Sequence, residues 1–175
     1  MGSRLYALPV FAAVTLHVLS RNHLQEALWA CHIASFLLAF GLALQWNALT
    51  RAAFIFYLGV GIPGWLLDAA VDGTTWTSAL THLTSLTSGW LACRHMDMSK
   101  IVIAQCMTAM FVLLVVTPFI TDPALNVNVT TRPWLPLPFL EHVNLGFNLL
   151  TTWTGLMLGY WTYTRFGLAT TRTAA

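Results

Sequence analysis

Residues Trp76–Cys93 read WTSALTHLTSLTSGWLAC, and whether this stretch crosses a membrane decides the fold. It has the length of a span, yet it carries Ser, Thr and a His where a lipid-crossing helix is usually aliphatic. Around it lie five further segments near the roughly 20 residues that a helix needs to cross the hydrocarbon core. These are Ser3–Ser20, Glu26–Trp46, Ala52–Ala70, Ile101–Ile120 and His142–Thr164. Basic residues arbitrate, because they gather in the cytoplasmic loops of membrane proteins. If 76–93 crosses, one side holds Arg4, Arg51, Arg94, Lys100, Arg165 and Arg172 and the other only Arg21 and Arg132, six against two. If it does not, the division is three against five and the bias disappears. The sequence therefore predicts an all-α, polytopic transmembrane helix bundle of six spans with both termini cytoplasmic. Residues 1–175 form a single integral membrane domain on this reading, multi-pass and with the lipid bilayer as its first partner.

Composition agrees. Charged residues make up 8% of the chain and hydrophobic residues 57%, with a mean hydropathy of +0.69. An ordinary globular protein carries about 25% charged residues, so a soluble fold of this size would lack the side chains to cover its surface. The basic residues are scattered without a run, which excludes a nucleic-acid surface. Cys31, Cys93 and Cys106 form no CxxC pair and fall in or beside apolar segments, as buried free thiols do. Leu5–Leu19 follows Arg4 but has no small-x-small cleavage site before Arg21, so it reads as the first span rather than a signal core.

Tryptophan gives partly independent support. Trp29, Trp65, Trp76 and Trp134 fall near the outer boundary, Trp46, Trp90 and Trp161 near the inner one, and only Trp153 mid-span. Such belts mark membrane interfaces. The connection 71–75 is short, with Asp72-Gly73 as its turn signal and Thr74 or Thr75 placed to cap the next helix. The long connection is the outer loop 121–141, with Pro123, Pro133, Pro136 and Pro138 among apolar anchors. A loop of that length is commonly a lid or a binding segment. Asn128-Val129-Thr130 within it is a glycosylation sequon.

In hydrocarbon, polar groups turn toward the bundle interior. Three segments carry such stripes. On the fourth, Ser78, His82, Ser85 and Gly89 share a face, extended by Thr81 and Ser88. On the sixth, Glu141, Asn144, Asn148, Thr151 or Thr152, Gly155 and Gly159 line up, and Gly155-x-x-x-Gly159 is a close-packing pattern. On the third, Tyr57, Gly61, Gly64 and Asp68 align, and the run Gly59–Gly64 is breakable because Pro63 removes a helical hydrogen bond. Most Ser, Thr and Gly here serve packing; the histidines need a further reason.

Depth supplies one. At 1.5 Å rise per residue, His32 and His82 each lie about 9 Å below the outer boundary. Asp68 ends the third span on that side, His17 nears it, and Glu141 and His142 open the sixth span there. Imidazole with carboxylate suits zinc, copper or iron, so His32, Asp68, His82 and His142 are the candidate metal ligands. His32 and His82, at matched depth, are also candidates to hold a b-type haem. Asn144 and Asn148 join them as candidate cofactor-binding residues. Without a metal, Asp68 and His82 are the candidate catalytic pair for proton chemistry. No His-x-x-x-His or His-Glu-x-x-His spacing is present on any one helix, so a site has to be assembled between helices.

The sequence thus predicts a polar His/Asp/Glu site near the outer face that binds a metal, a cofactor or a lipophilic small molecule, with catalysis on it as an open alternative. Two readings of other classes stand beside it. One is a small-solute transporter or channel, supported by the polar faces and the breakable third span. The other is an accessory subunit that packs on a membrane protein partner or forms a homo-oligomer, supported by small size and the Gly155 face.

Overall fold

Helix occupies all six apolar stretches in a computed structural model that describes residues 3–21, 23–71, 73–129 and 138–167, without the side chains at 3, 71, 129, 138–142 and 167. Helix α1 (Ala7–Ser20) follows a 3-10 turn, Ser3–Tyr6. Helix α2 (Ala30–Leu44) is shorter than the apolar stretch that contains it, because Leu24–Leu28 forms a separate 3-10 turn. Helices α3 (Asn47–Phe56) and α4 (Ile62–Val71) are joined by a π-helical turn, Tyr57–Gly61. Helix α5 is Trp76–Cys93, α6 is Ile101–Ile120 and α7 is Pro138–Thr162, followed by a second π-helical turn, Tyr163–Gly167. Among the described residues there is no strand. By length and composition, two helical stretches suit a membrane crossing, Asn47–Ala70 and Ile101–Ile120; Arg4–Ser20 and Ala30–Leu44 are shorter apolar helices.

The boundaries have local causes. The sequence before α2 offers no capping side chain, and its first amide is instead satisfied from far along the chain: Ala30 N–H donates to Asn128 Oδ1 at 2.7 Å. Gln45 takes the left-handed conformation (φ 56°) that ends α2, and Trp46 N–H returns to Gly41 O at 2.8 Å, a Schellman-type stop. The turn reverses the chain, so α3 runs back along α2. Thr75 Oγ1 accepts from Ser78 N–H at 3.2 Å and caps α5, and Gly73 at φ 79° makes the bend before it. Pro63, which has no amide to give, follows the π-helical turn, where Ile62 N–H reaches back five residues to Tyr57 O.

Helix α1 lies against α2 and α5, and α3 against α2, α5 and α6. The π-helical turn packs on α7, which also lies along α6. The closest crossing is at Gly59, straddled by Gly155 and Gly159: a Cβ on Gly155 would run into the Gly59 carbonyl, and one on Gly159 would stand 3.1 Å from Gly59 N. At the end of α5 that holds Cys93, the rings of Phe54, Trp90 and Tyr163 pack edge to face with centroids 6.3–6.4 Å apart. The Tyr163 hydroxyl donates to the carbonyls of Cys93 and Met96.

Ser35, Thr50, Thr81, His82 and Ser85 are buried beside an apolar core that includes Val10, Leu38 and Phe54, whereas Leu5, Leu8, Leu150, Leu158 and Phe119 are exposed, the last by 84%.

Candidate functional site

Two histidines, His17 and His32, meet near the end of the bundle that holds the loop 73–75 and the turn Leu24–Leu28, and a third, His82, lies at the same end, stacked on Trp65. His82 sits on α5 one turn beyond Ser78 and is 2% exposed. Its Nδ1–H donates to Ser78 O at 2.8 Å, which fixes the tautomer and leaves Nε2 with a lone pair. That Nε2 is fully buried and has no hydrogen-bond partner among the described residues. His32, on the first turn of α2, is 4% exposed and donates Nδ1–H to Glu26 O at 2.8 Å. His17, on the last turn of α1, is also 4% exposed, with Nδ1 3.0 Å from Thr77 Oγ1. The rings of His17 and His32 meet edge to face with centroids 5.0 Å apart. His17 lies within electrostatic reach of both His32 and His82.

Aromatic and hydroxyl groups surround the cluster. The Trp65 indole stacks on the His82 ring, 4.8 Å between centroids and 10° between planes, and donates Nε1–H to Thr74 Oγ1 at 3.2 Å. The Tyr57 ring lies 5.9 Å from His82, and its hydroxyl donates to the His82 carbonyl at 3.0 Å. One turn further in, Ser85 donates to Ser35 at 2.9 Å, tying α5 to α2. At the rim Arg21 pairs with Glu26 at 2.5 Å.

No family model, curated protein or solved structure matches the chain. The chemistry must be read from the residues themselves.

The sequence-predicted residues are distributed as follows. His32 and His82 belong to the cluster. Asp68 is exposed on α4. The side chains of Glu141 and His142 lie outside the described residues. Among the described residues, no group of three or more His, Cys, Asp or Glu is arranged to hold a metal ion. Asn144 and Asn148 bond to each other at 3.3 Å and line a groove of about 230 Å³ between α6 and α7 with Leu114, Val115, Phe119 and Leu145, walls that contain no histidine among the described residues. The ring neighbour of His32 is His17, and the face of His82 is covered by Trp65.

Sequence reasoning gave no role in the site to His17, Trp65 or Thr77. Trp65 reads as an interfacial belt residue and Thr77 as one hydroxyl among many. The available signal was depth: His17 and Thr77 both stand within a turn of the outer ends of their segments.

The asparagine of the sequon is buried. Asn128 is 4% exposed, and its Nδ2 donates to Leu28 O at 2.9 Å and Thr117 Oγ1 at 3.3 Å. The amide is a structural bolt between the outer loop, α2 and α6.

Proposed function

We propose that the chain is a six-span membrane protein, both termini cytoplasmic, whose outer-side histidine cluster takes up a lipophilic small molecule bearing an O–H or N–H group, with His82 Nε2 accepting that proton. The observation that carries the site is the buried, unpartnered Nε2 of His82. Buried polar atoms are nearly always paired, and an orphan acceptor costs about 1–3 kcal/mol. A ligand donor offsets that cost. Nδ1 is occupied by Ser78, so the lone pair is held ready as a hydrogen-bond acceptor or general base. The membrane location is supported by the apolar exterior and the buried hydroxyls and imidazoles, the distribution that lipid selects.

The two other readings find less support. The Phe54, Trp90 and Tyr163 rings fill the inner end, where a solute path would have to continue. The Gly155-x-x-x-Gly159 face is consumed inside the chain by Gly59, so it is not available to a partner subunit.

The test is chemical analysis of detergent-purified wild type and His82→Ala: elemental content, optical spectrum, and mass spectrometry of an organic-solvent extract. The expected result is a stoichiometric organic compound in the wild type that is lost from a folded His82→Ala variant. Equal extracts from both sink the ligand reading. Stoichiometric metal or a Soret band, lost in the variant, replaces the organic ligand with a metal or haem.

A further inference from the structure

Thr77 is a buried hydroxyl with more neighbours than one side chain needs. It is 4% exposed, and its Oγ1 lies 3.0 Å from His17 Nδ1, 3.1 Å from Thr75 Oγ1 and 3.3 Å from Ser20 Oγ. Thr75 and Ser20 are both exposed. An unbroken chain of hydrogen-bonding atoms therefore runs from the surface, by two entrances, through one hydroxyl to a buried imidazole that touches the next one, His32. We infer that Ser20, Thr75, Thr77 and His17 form a proton path between the outer surface and the buried histidines.

Proton counting shows how it would run. A hydroxyl has one proton and two lone pairs. Ser20 donates to His17 O at 2.6 Å, so in the resting arrangement its oxygen accepts from Thr77. Thr77 then accepts from Thr75 and from His17 Nδ1–H, and every donor in the group is used once. The reverse arrangement has His17 protonated at Nε2 and Thr77 donating to Nδ1. From there, a hydronium ion at the surface gives a proton to the Thr75 or Ser20 hydroxyl and becomes water, that hydroxyl passes its own proton to Thr77, and Thr77 passes its own to Nδ1. One N–H bond forms, each oxygen ends with the single proton it began with, and His17 becomes imidazolium. Release of the Nε2 proton to the neutral imidazole of His32, whose ring meets that of His17 edge to face, leaves neutral His17 with Nδ1–H, the resting tautomer, and makes His32 the imidazolium. Imidazole is suited to this role because it can gain a proton on one nitrogen and lose one from the other.

The purpose of the path rests on the reading of His82 as a proton-accepting site, but its existence is tested separately. The measurement is the exchange rate of the His17 ring N–H with water in 15N-histidine-labelled protein in lipid nanodiscs, with the signal assigned through His17→Gln. Thr77→Val preserves shape and removes the hydroxyl; it should slow exchange by about tenfold, the kinetic equivalent of one hydrogen bond. Thr77→Ser should restore the wild-type rate, which a purely steric role would not require. If Thr77→Val does not fold, Ser20→Ala/Thr75→Asn alters only exposed positions, keeps a capping side chain on α5, and must show the same slowing. A wild-type rate in whichever variant folds overturns the path. The two readings separate cleanly: an extract that contains no ligand, with Thr77-dependent exchange intact, removes the ligand and leaves the path standing.

Discussion

At the scale of single residues, polar groups here are settled by partners distant in sequence. Asn128 is the clearest case. It holds φ 56°, a conformation that Asn tolerates better than most residues, and it supplies the N-cap that α2 lacks locally. Asn128→Ala should therefore destabilise the protein by about 1–3 kcal/mol, combining a lost cap with stranded buried partners. Thermal denaturation in detergent reads this directly. Expression in a glycosylating host should leave the mass at this sequon unchanged; an added glycan would contradict the buried amide. The motif was visible in the sequence, but its meaning was not, because a sequon reports three neighbouring residues and says nothing of Ala30 or Thr117. The candidate site divides the same way. That His32 and His82 both stand near the N-terminal ends of their helices was legible in the sequence, although α2 begins at Ala30 and so puts His32 on its first turn, against the second turn of α5 for His82. Their company was not, since the approach of His17 to His32 and of Trp65 to His82 depends on how α1, α2, α4 and α5 are ordered around the bundle.

At the scale of elements, the sequence fares better because its signals are local. The threonine before α5 caps it, Gly73 stands at the bend, and the Ser78, His82, Ser85 and Gly89 face is buried. The breakable run before Pro63 is a π-helical turn, and Gly155-x-x-x-Gly159 is a contact face. What periodicity could not supply is the partner of that face, Gly59, since a small-residue pattern states how closely a helix can approach and not which helix arrives. The crossing leads to a paired prediction on α7. Gly155→Ala drives a methyl group into the Gly59 backbone, and backbone cannot swing aside, so it should cost about 1–3 kcal/mol by overpacking. Gly146→Ala, in the same helix with open space around it, should be neutral or stabilising by up to about 1 kcal/mol, the ordinary helix propensity gain. Equal effects at the two positions in denaturation of both variants would remove the close crossing from the account.

At the scale of the whole molecule, the question returns to 76–93. Helix α5 is the most hydroxyl-rich of the set, and hydropathy alone passes it over. The structure supplies a reason for its polarity: Thr77 meets His17, Thr81 donates to Ala13 O at 2.9 Å and Ser85 to Ser35, so these hydroxyls are spent on α1 and α2 and are not turned toward lipid. A helix can cross a membrane with such a face if its neighbours cover it. The six-span topology then places the two connections flanking α5 on opposite sides. Thr74 and Ser99 are both exposed and lie in those connections. In a variant with Cys31, Cys93 and Cys106 changed to Ala, Thr74→Cys should react with a membrane-impermeant maleimide on intact cells, and Ser99→Cys only after permeabilisation. Labelling of both from one side would mean that 76–93 does not cross. The basic residues would then divide three against five, and the histidine cluster, which draws one member from α5, would have to be built within one leaflet.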